Sequence, residues 1–410
     1  MTHYPYAARV EFVVELARRL HTYGTTAQRL EGAIMAVATR LGLRCEPWLS
    51  PTGLILSFSD AARPETTANT TQVVRLAPGD VDLRKMCEAD DIAERALRGE
   101  LEVNQALAEL QALDRPLRLR DKLMSIFGFG LVSSSITVLL HSTWTDVVVA
   151  GGIGLLIGAL AVLGASHARL AESLELIAAL LATLIAAAIA AFVVPLSLNT
   201  VIVASVIVLM PGMMLTNAVS ELTSQHLVSG TARFSGAMAV LLKLAFGSLM
   251  ASQLAQLLGW VPLEHGTVVA LPDWMEWVAL LGAALAFAVL FKAAWRDYPL
   301  VMAAAILGYV VTRVAGLWVP SPAAVFAASV VITLASNIYA RCANRPGALI
   351  RVAGIILMVP GSVGFRGVSS LIERNTTLGL DIALDLTIIL VALVGGMLIG
   401  NVLVPARRNL

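Results

Sequence analysis

The amino-acid sequence predicts a polytopic α-helical membrane protein of about ten transmembrane helices with a small cytosolic α/β domain at its N-terminus. The 410 residues are 58% hydrophobic and only 14% charged, with a mean hydropathy of +0.80. Soluble domains are nearer half apolar and a quarter charged. Near residue 120 the charge density falls, and apolar runs of about 17 to 25 residues then recur. Runs of that length cross the hydrocarbon core of a bilayer.

Charge and cysteine content exclude several classes of function. A net charge of +1 gives no basic field for nucleic acid. Cys45, Cys87 and Cys342 lack the spacing of a metal site or a disulfide framework. No phosphate-binding loop, cofactor motif or nucleophile–base pattern is present, so we expect no cofactor, metal, catalytic residue or ATP hydrolysis. A membrane-bound hydrolase acting through the N-terminal domain remains an alternative class.

Residues 1–120 form the predicted cytosolic domain, because they hold dense charge and no membrane-length apolar run. Thr25 or Thr26 is expected to cap the second helix and Asp80 the third. Glu15 and Glu31 are expected on solvated helix faces. The predicted order is two helices, three strands and two helices, at residues 6–20, 25–41, 44–49, 53–59, 71–77, 80–97 and 101–113.

The remaining chain divides into two predicted membrane repeats, residues 121–258 and 259–410. The predicted spans are 123–140, 147–164, 174–193, 199–222, 233–257, 274–292, 298–314, 321–339, 350–371 and 382–404. Basic residues set the orientation. With a cytosolic N-terminus, the outer ends hold only Arg313, Arg366 and Arg374. The inner ends hold Arg115, Arg118, Arg120, Lys122, Arg169, Arg233, Lys292, Arg296, Arg341, Arg345, Arg351, Arg407 and Arg408. Both termini are therefore predicted to be cytosolic, and the loop 259–273, which has no Lys or Arg, lies outside.

The fourth and ninth predicted spans share a Pro-Gly interruption, which indicates an internal duplication. Pro211-Gly212 lies in the sequence LMPGMMLTNAVSEL, and Pro360-Gly361 lies in MVPGSVGFRGVSSL. Proline removes an amide donor and glycine loosens the backbone, so each pair is expected to break its helix near the membrane centre. Two successive five-span units enter the membrane from opposite sides. The pattern therefore predicts a 5+5 inverted repeat, as in many secondary transporters.

Each helix that restarts after a Pro-Gly pair presents free amides and the positive end of its dipole. Two such ends at the membrane centre suit a carboxylate. The alternative is a pair of simple proline kinks. Asn217, Ser220 and Glu221 follow the first break, and Ser362 and Arg366 follow the second. With the two Pro-Gly pairs they form the candidate substrate site, in which Asn217 reads polar groups, Glu221 holds an ammonium group or a proton, and Arg366 binds a carboxylate.

Ionisable residues inside the other spans are candidates for proton coupling, because a charge at that depth is costly and usually faces a cavity or a partner. Lys243 lies in the middle of the fifth span, with Glu221 or Glu175 as its expected partner. Asp385, near the start of the tenth span, is a further proton carrier, although a simple interfacial role competes. Polar Asn337 and Asn401 are expected to join helices. Gly151, Gly152, Gly154 and Gly158 indicate close helix packing, and packing of this kind is compatible with a homo-oligomer.

Over nearly its whole length the chain resembles the threonine/serine exporter family, in the form that carries both membrane halves on one polypeptide. The matching segments are 17–20 (ARRL), Tyr23-Gly24, 29–31 (RLE), Pro211-Gly212, 217–221 (NAVSE), 230–233 (GTAR) and 360–362 (PGS). The resemblance implies export of L-threonine and L-serine across a bacterial inner membrane, driven by protons. Similar proteins are linked to small dicarboxylates such as succinate, which is the alternative substrate class. The expected partners are these small molecules, protons and membrane lipid.

Overall fold

The computed structural model describes residues 4–60, 69–114, 118–263 and 271–405. These residues form a mostly helical protein with one small sheet near the N-terminus. Arg115, Arg407, Arg408 and residues 264–270 of the predicted outer loop 259–273 lie outside the described residues, so the orientation inferred from them stays a prediction.

The N-terminal part packs four helices around a three-stranded antiparallel sheet of order β1-β2-β3. Its elements are α1 (Tyr6–Thr22), α2 (Ala27–Arg40), β1 (Leu43–Ser50), β2 (Gly53–Asp60), β3 (Thr70–Arg75), α3 (Leu83–Arg98) and α4 (Val103–Ala112). Alternation places Leu54, Leu56 and Phe58 of the central strand on one buried face. The predicted elements are all present, with ends shifted by up to three residues.

Three local expectations in this part were wrong. Asp82, and not Asp80, is the N-cap of α3, and its side chain accepts a hydrogen bond from the amide of Lys85. Thr26 occupies the N-cap position of α2 as expected, but the expected side-chain cap is missing, because neither threonine hydroxyl accepts a hydrogen bond from that helix. Glu15 is buried and forms ion pairs with Arg18 and Arg19 on its own helix, because the far side of α1 is covered by the domain.

Twelve helices follow residue 118, and two pairs of them are the halves of broken spans. They are α5 (Leu119–Leu139), α6 (Trp144–Gly164), α7 (Ala168–Phe192), α8 (Leu198–Val206), α9 (Gly212–Thr223), α10 (Leu227–Leu257), α11 (Met275–Leu290), α12 (Tyr298–Ala315), α13 (Ser321–Ala343), α14 (Ala348–Ile356), α15 (Gly361–Ile372) and α16 (Thr376–Leu403). Among the described residues, seven helices are long and apolar enough to cross a membrane, or nine spans if each bent pair counts as one.

Nine of the ten predicted spans therefore have counterparts of membrane length and composition. The sixth, predicted at 274–292, corresponds to α11, an apolar helix of 16 residues that is shorter than the others. A helix of 16 residues rises about 24 Å, less than the ~30 Å hydrocarbon core. The number of complete crossings is thus nine at most by this measure, and ten spans stay a prediction.

Helix neighbours in the first half recur in the second. Helix α7 packs on α10, and α13 on α16; α9 packs on α10, and α15 on α16. The first membrane helices of the two halves, α5 and α11, pack on each other. Gly151, Gly154 and Gly158 of α6 lie against α5 as expected, whereas a Cβ on Gly152 would meet no atom within 4 Å. Asn337 donates to Asn401 at 2.9 Å and so joins α13 to α16, as predicted.

The N-terminal part is not a separate body on a tether, because its hydrophobic core continues into the membrane helices. One cluster of buried side chains joins it to Ala288 of α11, Val301 of α12 and Leu349 of α14. Backbone hydrogen bonds cross the same junction, from the amide of Leu83 to Phe291 O (2.9 Å) and from that of Arg84 to Lys292 O (3.3 Å). The start of α3 is thereby joined to the end of α11.

Candidate functional site

The two Pro-Gly pairs break their helices with nearly the same backbone geometry. Pro211 has φ −81° and ψ 40°, and Pro360 has φ −84° and ψ 46°. The first break bends the chain by 57° and the second by 42°. Each is followed by a helix of 12 residues, α9 or α15. Proline excludes the continuous hydrogen-bond ladder in both places, and the glycine amide bonds back by two residues, to Met210 O or Val359 O.

The two breaks face each other in the centre of the bundle. A Cβ atom added to Gly212 would lie 2.4 Å from Val359 Cγ1 and 3.3 Å from the backbone nitrogen of Gly361. A Cβ on Gly361 would lie 3.4 Å from the nitrogen of Gly212. A side chain at Gly212 would displace Val359, and one at Gly361 would press on Met210, so glycine suits both positions. The first turns of α9 and α15 therefore meet, although about 150 residues separate them in the sequence.

Each restarting helix leaves amide donors unused at this meeting point. Within the described part of the chain, the amides of Met213 and Met214 have no hydrogen-bond acceptor, and neither do those of Ser362 and Val363. Helix N-termini carry partial positive charge. Two of them meeting in one space make a region of positive potential, and the binding of a carboxylate there stays a prediction.

A cavity of about 1070 Å³ reaches this meeting point from the N-terminal domain. Its inner end is lined by Met210, Gly212, Gly361 and Ser362, at the two breaks. Its other end is lined by charged residues of the domain and of the adjoining helix ends. The walls between are largely apolar side chains of α5, α8 and α11. In this conformation the breaks communicate with the side on which the N-terminal domain lies.

Glu221, predicted to bind substrate or a proton, is occupied by protein donors. Its carboxylate accepts hydrogen bonds from the amide of Ala27 (2.9 Å), the hydroxyl of Ser229 (2.7 Å) and Nε of Arg233 (3.0 Å to each oxygen). The side chain is 1% exposed. The Glu221 carboxylate thus caps the N-terminus of α2, a role that the side chains of Thr25 and Thr26 do not perform. Glu221 therefore ties the far end of α9 to the N-terminal domain.

Two histidines flank this tie. His226 Nδ1 lies 3.6 Å from Glu31 of α2, so Glu31 faces the membrane part and not solvent alone. His21 Nε2 lies 3.1 Å from Pro51 O. Burial lowers the pKa of His21, and the nearby charge of Arg233 acts in the same direction, while the Pro51 carbonyl and Glu221 oppose the shift. His21 is accordingly held uncharged beside the tie at neutral pH.

The other residues predicted to bind substrate are distributed around the breaks. Ser362 lines the cavity. Asn217 and Ser220 are half-buried on α9, and the side chain of Asn217 forms no hydrogen bond with a described residue. Arg366 is exposed on α15 and forms no ion pair with a described residue. Thus the structure brings Ser362 and both Pro-Gly pairs together, whereas Arg366 is turned outward from the cavity in this conformation.

Among the proton-coupling candidates, Lys243 and Glu175 are partners. Lys243 Nζ lies 3.3 Å from Glu175 Oε2 and donates to Glu172 O at 2.8 Å, which joins α10 to α7. Glu175 also lines the cavity, so this pair is in contact with it. Of the two partners expected for Lys243, only Glu175 is in reach. Asp385 is exposed on α16 with no ion pair to a described residue.

Another buried carboxylate beside the cavity, Glu276, was not anticipated from the sequence. Glu276, in the first turn of α11, accepts a hydrogen bond from the hydroxyl of Tyr309 (2.6 Å) and forms an ion pair with Arg313. Tyr309 lines the cavity. The sequence held one indication of this contact, since Tyr309 and Arg313 are four residues apart and therefore share a face of α12 that can bind a carboxylate. An acid in a first helical turn is common, however, and did not by itself single out Glu276.

A multi-pass helical bundle in which two broken helices meet at the end of a cavity is a construction typical of membrane transport proteins. Comparison with known families agrees. Residues 11–255 match the family model described as "Putative threonine/serine exporter", and residues 276–403 match "Threonine/Serine exporter, ThrE". The chain belongs to the threonine/serine exporter family, with both family segments on one polypeptide.

Curated relatives carry a name that states no substrate. The chain is 25% identical to "Pheromone-regulated membrane protein 10" of Eremothecium gossypii over 87% of its own length and 49% of that protein. It is 25% identical to the protein of the same name from Debaryomyces hansenii, over 90% of this chain and 38% of the relative. The chain thus spans between about a third and a half of the length of the relatives that it matches. No solved structure matches it.

Proposed function

We propose that this protein is a secondary active exporter of small amino acids, with L-threonine and L-serine as its substrates. The observation that carries the proposal is the meeting of two helix N-termini, with unused amides, at the end of a cavity of about 1070 Å³. Membership of the threonine/serine exporter family supports the substrate class. The bacterial inner membrane, with both termini in the cytosol, is part of the same proposal.

The substrate carboxylate would be bound by the free amides at the starts of α9 and α15. Amides in a water-poor site bind an anion without having to be desolvated as charged side chains would be. Ser362 lies in the first turn of α15 and lines the cavity, whereas Asn217 and Ser220 lie further along α9 and do not line it in this conformation. These groups would recognise the ammonium group and the polar side chain of the amino acid. Arg366 would meet the carboxylate from the other side after the conformation changes.

Alternating access is proposed to result from two halves related as an inverted repeat. The recurrence of helix neighbours and the matching break geometry support this relation. One half would rock against the other about the fixed meeting point of the breaks. Movement toward the outside would close the present cavity and open a path past Arg366.

Protons would enter in exchange for the exported amino acid. The Lys243–Glu175 pair is the proposed coupling element that contacts the cavity in this conformation. Asp385 would take part from the opposite side. Glu221 is already bound by three donors, and its proposed role is therefore to hold the N-terminal domain while the tie persists.

Small dicarboxylates are the second substrate class, since the same free amides would bind either carboxylate of succinate. A passive channel would not need the two facing breaks at the end of the cavity. A hydrolase in the N-terminal domain is the least supported alternative, because its buried acids and histidine are engaged in ion pairs and hydrogen bonds.

Counterflow in proteoliposomes tests the proposal. Purified full-length protein would be reconstituted with unlabelled threonine, serine or succinate inside, and labelled threonine or, in a separate series, labelled succinate offered outside, with and without a pH gradient. Exchange with threonine and serine that a pH gradient alters is the expected result. Exchange with succinate alone would assign the dicarboxylate class. Absence of exchange with all three in correctly folded protein would refute transport of either substrate class.

A further inference from the structure

Five charged side chains surround the outer end of the cavity, where it opens beside the N-terminal domain. They are Asp80, Arg84, Asp121, Lys122 and Lys292. We propose that this ring is a substrate entrance that selects zwitterions, and that the N-terminal domain exists in part to complete it. The inference rests on the proposed function for the passage of substrate beyond the ring, and it assigns to the domain a role in selecting the substrate class.

The ring is built from two parts of the chain. Asp80 and Arg84 belong to the N-terminal domain, at the approach to α3 and in its first turn. Asp121 and Lys122 are in the first turn of α5, and Lys292 follows the end of α11. None of the five side chains forms a hydrogen bond or an ion pair with another described residue. Five charged groups with no such partner line a single opening.

The spacing across the ring is fixed by the junction described above. The amides of Leu83 and Arg84 bond to the carbonyls of Phe291 and Lys292, so the two walls of the opening are hydrogen-bonded to each other. Lys292 has φ +51°, which turns the chain away from the helix axis immediately after α11. Asp82 is buried behind the ring, and Arg84 and Lys292 are near enough to interact with its carboxyl electrostatically. The two cations therefore lie near a buried carboxyl group without forming an ion pair with it.

The mixture of signs indicates the class of molecule that the ring admits. An amino acid carries one carboxylate and one ammonium group, and can face Arg84, Lys122 or Lys292 with the first and Asp80 or Asp121 with the second. A dicarboxylate gains from the three cations but meets two acids as well. The ring therefore offers an opposite charge to each group of a zwitterion, whereas two of its five groups repel a divalent anion, and this is a distinction that the free amides at the breaks do not make.

Thiol labelling tests the ring without requiring transport. Ser362→Cys places a thiol at the inner end of the cavity, in a Cys342→Ser background that removes the exposed native thiol. Cys45 and Cys87 are buried, and burial raises the pKa of each thiol to about 12, so both react slowly. Methanethiosulfonates bearing either a sulfonate or a trimethylammonium group would be applied to the full-length protein in nanodiscs, and both labelling rates recorded.

Neutralising two acids of the ring and neutralising two of its cations should each slow the labelling by a different reagent. Asp80→Asn with Asp121→Asn should slow the cationic reagent roughly three- to tenfold, and Arg84→Gln with Lys122→Gln should slow the anionic reagent by a similar factor. The effects should shrink at 1 M salt, where the screening length falls to about 3 Å. Glu100→Gln, an exposed acid remote from the ring, is the matched control and should leave both rates unchanged.

The expected result is a change in the ratio of the two rates that follows the sign of the charge removed. Unchanged ratios in both paired variants would overturn the entrance. Counterflow supplies the second measurement, in which the acid-neutralised variant should raise the KM for threonine roughly three- to tenfold and leave kcat unaltered. If the ratio of labelling rates changes in the paired variants but the protein transports no substrate, the proposed function is refuted and the entrance ring is supported. If the protein transports substrate but the ratio does not change, the entrance ring is refuted and the proposed function is supported.

Discussion

Removing the carboxylate of Glu221 should release the N-terminal domain from the membrane helices at α2. Glu221 and Arg233 are 1% and 11% exposed at their side chains, so the pair is largely withdrawn from water. Breaking a buried pair by removing one partner costs about 3–5 kcal/mol, because the other charge is left uncompensated. Glu221→Ala also removes the acceptor for the first amide of α2. Glu221→Gln keeps an acceptor and should cost less, about 1.5–3 kcal/mol.

Hydrogen exchange measures this release at the amide concerned. A peptide that begins before residue 25 and ends at residue 30 retains the label on the Ala27 amide that Glu221 binds. A local cost of 3–5 kcal/mol corresponds to an opening equilibrium raised by roughly two to three and a half orders of magnitude. Exchange in this peptide should therefore accelerate strongly in Glu221→Ala and by a smaller factor in Glu221→Gln. A peptide within α4 should exchange as in the unaltered protein.

The matched control lies on the same interface. Glu31→Gln removes an acid that is 36% exposed and 3.6 Å from His226, and an exposed pair of this kind is worth at most about 1 kcal/mol. It should leave the exchange of residues 26–30 within a fewfold of the unaltered rate. If Glu221→Ala exchanged at the unaltered rate while the protein stayed folded, the carboxylate would not hold the domain, and our account of this contact would be refuted.

Three further changes test other parts of the structure. Gly212→Ala should abolish counterflow, because its added methyl group would lie 2.4 Å from a valine side chain across the two breaks; Gly152→Ala on a helix face without neighbours should have no effect. Lowering the pH through 6.5 should reduce the protection factor of amides at the start of α2, that is, raise the exchange rate relative to the intrinsic rate at the same pH. A buried His21 with a lowered pKa gains a proton only in the opened state, and His21→Gln should remove that dependence. Lys243→Met should leave Glu175 without its partner, and counterflow should lose its response to a pH gradient.

Each of these changes has an outcome that contradicts it. Normal counterflow in Gly212→Ala would mean that the breaks do not need their close approach. A pH response retained in His21→Gln would assign the titration to another group at the contact. The double variant Lys243→Met with Glu175→Gln removes both charges of the pair, so its expression and thermal stability should match those of the unaltered protein. Gradient-dependent counterflow in that double variant would exclude the pair from coupling.

Sequence alone determined those features that depend on short-range chemistry. The apolar runs fixed the positions of the membrane helices, because a bilayer of given thickness demands a minimum apolar length. The two Pro-Gly pairs fixed where helices must break, because proline cannot donate the missing hydrogen bond in any surroundings. The length of α11 and the number of complete spans were not determined in this way, because a short apolar helix is compatible with several arrangements in a membrane.

Only the tertiary structure decided which groups meet. Glu221 binds an amide 194 residues earlier in the chain, and no local pattern distinguishes such a carboxylate from a solvated one. Similarly, Glu15 is buried in an ion pair with Arg19, and Glu276 contacts Tyr309 and Arg313 on a neighbouring helix. The energy of a charged side chain depends on burial and on partners brought together by packing. A sequence names the candidates for a site, whereas the fold decides which of them stay free to act.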